Sequence, residues 1–204
     1  MEELHGLCTR LLGSGEEARA AELQARESGE SDRLESLRAA VLACRGRRPS
    51  PQLTLQEAGD LRRSVAREVA EAAEGLPEAE REALALRELM GLSHDEIATV
   101  LDVGSDEVAP LLARARLDLR AALRDAEGPP ACEQRERSLR VISRRIDGEP
   151  VSEEDEDWLL VHLGGCSACA RAHSAILEAS ACYRAWRPEE ELAADAGPSA
   201  DSAP

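Results

Sequence analysis

The 204-residue sequence has no phenylalanine, one tyrosine and two tryptophans. Those three rings, Trp158, Tyr183 and Trp186, all fall in the last quarter, so the first 157 residues have no aromatic face on which an unpaired base could stack. Lysine is absent, and every one of the 25 cationic side chains is arginine. Positive charge is short overall: 41 acidic residues leave a formal charge of -16, which excludes broad attraction to a polyanion and confines any nucleic-acid contact to a local patch. No apolar run approaches the length of a membrane span. The opening MEELHGLCTR lacks the basic and apolar regions of a signal peptide, and a cytoplasmic location without membrane contact is expected. In a reducing compartment six cysteines are expected to be free or metal-bound, not paired as disulfides.

What is present in quantity is Ala, Leu and Glu, which favour helices over strands, so the fold class expected is all-α. Pro49-Ser50-Pro51 and Gly128-Pro129-Pro130 break any helix that meets them and mark two boundaries. Thr54 with Glu57, Ser93 with Glu96 and Ser152 with Asp155 fit the spacing that caps a helix start. With apolar periodicity they place helices near residues 54–74, 78–90, 94–101, 106–124, 133–146 and 153–164. Beyond Trp186 the sequence is acidic and too poor in apolar residues to fold alone.

Between residues 76 and 123 a helix, Gly91, a short helix, the turn LDVGSD and a longer helix form the order of a helix-turn-helix, whose second helix can lie in a major groove. Arg116, Arg120 and Arg124 recur every four residues and, with Arg114, are candidate phosphate contacts. A solvated face pairing with Asp118 is the alternative. Pro110 removes an amide early in that helix, whose start should be bent or frayed.

The stretch VHLGGCSACARAH concentrates the metal-ligating side chains. His162 and Cys166 are four apart, and Cys166-x-x-Cys169 has the spacing by which two thiolates grip one ion. A structural zinc site closes with a fourth donor, for which Cys132 and His173 are both candidates. A closed set of this kind leaves no position for a reactive water, and no enzyme is expected. Cys8, Cys44 and Cys182 read as ordinary helix positions, and His94 as a surface residue.

The segment from Leu76 to Leu123 resembles region 4 of the sigma-70 family, extracytoplasmic-function type, in Leu76-Pro77, Arg81-Glu82-Ala83, Gly91-Leu92-Ser93, Glu96-Ile97-Ala98 and Arg114-Ala115-Arg116. The resemblance implies reading of a promoter element and contact with RNA polymerase. On the groove-facing side, where the family carries polar and basic residues, this chain has Ala109, Pro110, Leu111 and Ala113, so promoter contact is weakened. A fainter likeness to sigma region 2 rests on Arg10-Leu11-Leu12-Gly13, Glu17-Ala18 and the arginines from Arg45 to Arg48. From Cys132 onward the chain is similar to the zinc-binding anti-sigma domain, matching Cys132, Asp147-Gly148, His162, Cys166 and Cys169. That resemblance implies a structural, redox-sensitive Zn2+ held by Cys132, His162, Cys166 and Cys169, in a helical bundle that clasps a sigma factor and in some members releases it when thiols oxidise.

The organisation expected is a shortened sigma-like segment at 1–48, a linker and helix at 49–75, a helix-turn-helix at 76–126, a zinc-stabilised bundle at 131–187 and an acidic tail at 188–204. The function expected is regulation of transcription initiation, the bundle packing on the sigma-like helices through Trp158 and Leu159 and controlling their access to promoter DNA or polymerase. The alternative is an adaptor that binds another sigma factor or polymerase without touching DNA.

Overall fold

In a computed structural model the chain is described over residues 2–13, 15–28, 32–47, 61–124 and 130–186. All regular structure among the described residues is helical, as the composition requires: α1 (Glu2–Leu12), α2 (Glu16–Glu27), α3 (Arg33–Cys44), α4 (Leu61–Glu74), α5 (Glu78–Glu88), α6 (His94–Leu101), α7 (Ser105–Arg124), α8 (Arg135–Ile146), α9 (Glu153–Gly165) and α10 (Ser167–Ala185). The Thr54 cap, the Pro49-Pro51 and Gly128-Pro129 boundaries and the acidic tail lie outside the described residues.

Local chemistry sets several ends. Ser93 accepts from the amide of Glu96 while the Glu96 carboxylate takes the Ser93 amide, a complete capping box that starts α6. Ser152 caps α9 in the same way through the amide of Asp155. Gly91, at φ 66°, makes the left-handed turn out of α5 that a side chain would oppose. Caps and apolar periodicity place no helix bounds after 164, and α10 runs from Ser167 to Ala185. Its buried stripe is built largely of Ala172, Ala179 and Ser180, too small to stand out as apolar periodicity.

Three apolar clusters share α7. Val108 and Leu112 join α1, α3, α5 and α6 through Leu7, Leu11, Leu37, Val41, Leu86 and Ile97. One and two turns further along the same stripe, Ala115 and Leu119 meet Val69 and Ala73 of α4, Leu84 of α5 and Tyr183 of α10. A second stripe, Ala113 and Leu117, packs on Leu139 and Ile142 of α8, Leu159 of α9 and Ile176 of α10. The clusters thus cross the segment boundaries read from the sequence. At the far side Arg10 of α1 donates to the Trp186 carbonyl at 2.6 Å, its guanidinium 4.2 Å from the indole centre, tying the first helix to the end of the last.

The expectation of a frayed start to α7 is corrected: the helix runs from Ser105 through Pro110. Proline this close to the N-terminus forfeits only the bond to the Asp106 carbonyl. The Glu107 carboxylate takes the Gly104 amide at 2.8 Å, which holds the first turn.

One carboxyl at the α5–α7 contact, that of Glu80, is pushed up toward neutrality. Burial first, then the charge and hydrogen bond of Asp118, raise Glu80 to about 7, against a smaller opposing effect of Arg114. Because the folded value exceeds the unfolded one, the stability from protonated Glu80 is full below about pH 4.3 and is lost as pH rises through 7. Glu80→Gln should therefore match the native chain in urea unfolding at pH 4 and exceed it at pH 8. The gain should be on the order of 1–2 kcal/mol, discounted because Asp118 is open to screening water. A penalty at pH 8 would contradict this account.

Candidate metal centre

Cys132, His162, Cys166 and Cys169 come together at the base of the α8–α10 bundle, their donor atoms all within 4.8 Å of one another. Cys132 lies in the turn before α8, His162 in the last turn of α9, and Cys166 and Cys169 at the junction of α9 with α10. Cys166 both ends α9 and starts α10, with extended φ and ψ of -120° and 97°, which turns the second helix back over the first. Cys132 Sγ and His162 Nε2 are 3.7 Å apart, close to the separation of roughly 3.5–3.8 Å for two donors on a tetrahedron about zinc. Three thiols and one imidazole are a donor set that can hold a single soft or borderline cation. His173, the other candidate for the fourth position, is half-buried on α10 and outside this group.

The surroundings favour thiolate at several points. The amide of Gln134 donates to Cys132 Sγ at 3.3 Å. A backbone hydrogen bond from Cys169, with others from its side chain and from Ala168, lowers the Cys166 thiol. Burial pushes the Cys169 thiol up to about 11, with the fully buried Ser138 hydroxyl opposing that rise.

The bundle meets the helix-turn-helix through a buried ionic junction. Asp147, in the turn after α8, receives Arg87 Nε of α5 at 3.2 Å, His94 Nε2 at 2.9 Å and two nitrogens of Arg116 at 2.5 and 3.1 Å. Gly148, at φ 70°, turns the chain so that Glu149 takes the His94 amide at 2.9 Å, at the N-terminus of α6. Arg116 also holds Glu88 at 2.8 and 3.0 Å, and Glu88 in turn accepts Ser180 of α10 at 2.8 Å. Burial alone would raise Asp147, but the bonds from His94 and Arg116 and the charges of Arg116 and Arg87 hold its carboxyl well below the usual range.

Arg116, a candidate phosphate contact, is 1% exposed and engaged by Glu88, Ser143 and Asp147. One sequence expectation is corrected here. His94 is 2% exposed, not a surface residue, because Asp147 supplies a partner the local sequence does not reveal. Of the other candidate arginines, Arg120 donates to Glu178 of α10 at 2.7 Å, Arg114 is exposed with Glu80 3.8 Å away, and Arg124 is exposed at the end of α7. Asp118, the expected alternative partner, takes none of these arginines in an ion pair. Ala109 and Ala113, expected on the groove-facing side, are buried. Leu159 belongs to the cluster that includes Ala113 and Leu117 of α7; Trp158 borders it, and its ring also stacks on His162. Cys8 and Cys44, read as ordinary helix positions, are both buried in the first cluster, where the Cys44 side chain lowers the Cys8 thiol. The basic end of α3 is neutralised locally, Arg45 by Glu82 and Arg47 by Glu17.

No described helix is long and apolar enough to cross a membrane. Comparison with curated proteins and with solved structures gave no match. A family comparison did: over residues 66–119, from the middle of α4 through most of α7, the chain matches the family described as Sigma-70, region 4.

Proposed function

We propose that this protein regulates transcription initiation with a sigma-70 region 4-like helix-turn-helix that a zinc-fastened, anti-sigma-like C-terminal bundle holds closed. The observation that carries the reading is the packing of α7. Its Ala113–Leu117 stripe lies under α8 and α10, in a cluster that Leu159 of α9 also joins, and Arg116 and Arg120 are paired with acids at that contact. A helix covered along this stripe is kept from a major groove on that side, and two of its four candidate arginines, Arg116 and Arg120, are spent on carboxylates. Covalent attachment keeps the bundle at high effective concentration, so docking persists without a large intrinsic affinity. Zinc suits the three-thiol, one-imidazole set and fills its four positions, which makes the ion structural. The partners proposed are RNA polymerase or another sigma factor, with promoter DNA reached only when the bundle is displaced.

Ala113→Gln tests the closed state, since Ala113 belongs to the inter-lobe cluster and a longer neutral side chain wedges that contact without adding charge. In anisotropy titrations with promoter and random duplexes, the native chain should show no binding. The variant should bind with an affinity that falls linearly in log salt, because arginines freed from carboxylates displace counterions. An unchanged absence of binding would end the autoinhibition reading and favour the second one, a protein adaptor that never contacts DNA. That second reading has its own support: the exposed face of α7 presents Asp106, Glu107 and Asp118 beside Arg114, an acidic surplus unsuited to phosphate.

A further inference from the structure

We infer that Trp158 positions the ligand His162 for metal, and that Arg137 fixes Trp158; this deepens the metal reading proposed above and rests on it. Asp155, Trp158 and His162 are spaced three and four apart on α9 and so share one face. The Trp158 and His162 rings lie 4.8 Å apart at 14°, a near-parallel stack. Above the same indole, 4.3 Å from its centre, sits the guanidinium of Arg137 from α8. Arg137 is itself anchored by Asp155, to which it donates at 2.8 and 2.7 Å.

Metal-binding histidines ordinarily owe their ring orientation to a carboxylate or carbonyl on the second nitrogen. Among the described residues no such partner meets the His162 ring, whose one polar contact is Nε2 with Cys132 Sγ at 3.7 Å. The stack supplies the missing constraint. It clamps the imidazole plane so that Nε2 points at the sulfurs, and Arg137 strengthens it by holding a cation over the π face. Trp158 also borders the cluster that includes Ala113 and Leu117 of α7, so the residue that orients the metal ligand is packed beside the helix-turn-helix contact.

The test is zinc affinity of the full chain by competition with a chromophoric chelator, together with cobalt(II) spectra, for four proteins: native, Trp158→Leu, Trp158→Phe and Arg137→Gln. Leucine keeps an apolar side chain at the cluster edge and removes the π face. It should weaken zinc binding about tenfold to a hundredfold, the range for loss of a ligand's supporting partner. Phenylalanine restores a ring and should recover most of that loss, while the tetrahedral cobalt bands persist in all four. Arg137→Gln, at the half-exposed edge, should fall between and carries the test if the leucine variant does not fold. Native affinity in Trp158→Leu, or no recovery in Trp158→Phe, overturns the positioning role while leaving the metal site standing. A native chain that takes up neither zinc nor cobalt overturns the metal reading and this inference together.

Discussion

If the proposed zinc fastens the bundle, stripping it from the purified protein should melt α9 while the first and second apolar clusters stay folded. α9 has one fully buried residue, Leu159, with Trp158 and Leu163 half-buried around it. Burying a leucine contributes about 1.5–3 kcal/mol. Ordering the backbone of a helix this short costs roughly 1–2 kcal/mol per residue, and an isolated helix below about 12–15 residues is marginal in water. Apolar contact alone therefore does not hold α9. A structural zinc supplies on the order of 10–16 kcal/mol of apparent binding free energy in small metal-dependent folds, and here it would clamp the helix end through His162 and Cys166 to Cys132 and Cys169. α10 is held differently, by Ile176 in one cluster and Ala179 and Tyr183 in another. Hydrogen exchange on chelator-treated protein should show protection lost across residues 153–165 and kept around 176–183. Cys166→Ser should do the same with zinc present, and Cys8→Ser should leave one zinc per chain by elemental analysis. Equal protection of α9 with and without metal would mean that packing suffices and that the four donors are incidental neighbours.

Much of that site was legible because its signal is local. His162, Cys166 and Cys169 fall within eight residues, and helix geometry alone brings them to one place; the fourth donor stayed open between Cys132 and His173 on the residues alone, and a family resemblance favoured Cys132. The caps of α6 and α9 were legible for the same reason, each being a bond across three residues. The buried charges were not. The recurrence of Arg116, Arg120 and Arg124 is the same whether water, phosphate or carboxylate lies opposite, and the acids that settle the matter are Glu88, Asp147 and Glu178, 28, 31 and 58 residues away. Asp147 in particular reads as a turn former beside Gly148, a role it fulfils while its carboxylate serves α5, α6 and α7. The Cys8–Cys44 pair and the Arg10–Trp186 contact are likewise products of packing that no local pattern encodes.

Asp147→Asn should be the most costly single polar substitution in the chain, at about 3–5 kcal/mol in urea unfolding. The side chain is 3% exposed, and it balances Arg116, 1% exposed, and Arg87, 19% exposed. Asparagine keeps the size and one acceptor but removes the negative charge, leaving Glu88 as the buried counter-ion for Arg116 and taking the carboxylate away from Arg87. Against a usual total stability of about 5–15 kcal/mol, the loss is large. The pH dependence gives an independent check on its cause. The folded carboxyl is held below its unfolded value of about 3.9, so its stabilisation is complete above that value and is lost progressively beneath it, as pH falls through the lower folded value. The gap between native chain and variant should hold steady from pH 5 to 7 and narrow below about pH 4, the native chain losing stability faster. A gap that stays constant into acid would assign the cost to altered hydrogen-bond geometry at the turn. Pairing the change with Arg116→Met removes one charge of each sign and should recover part of the loss, because a buried ion pair replaced by apolar packing is often near neutral while half of one is not. Recovery in the double variant, with weaker docking of α8 on α7 by hydrogen exchange, would separate the junction's two roles: the net energy of the charges is small, and their arrangement fixes where the bundle sits on the helix-turn-helix.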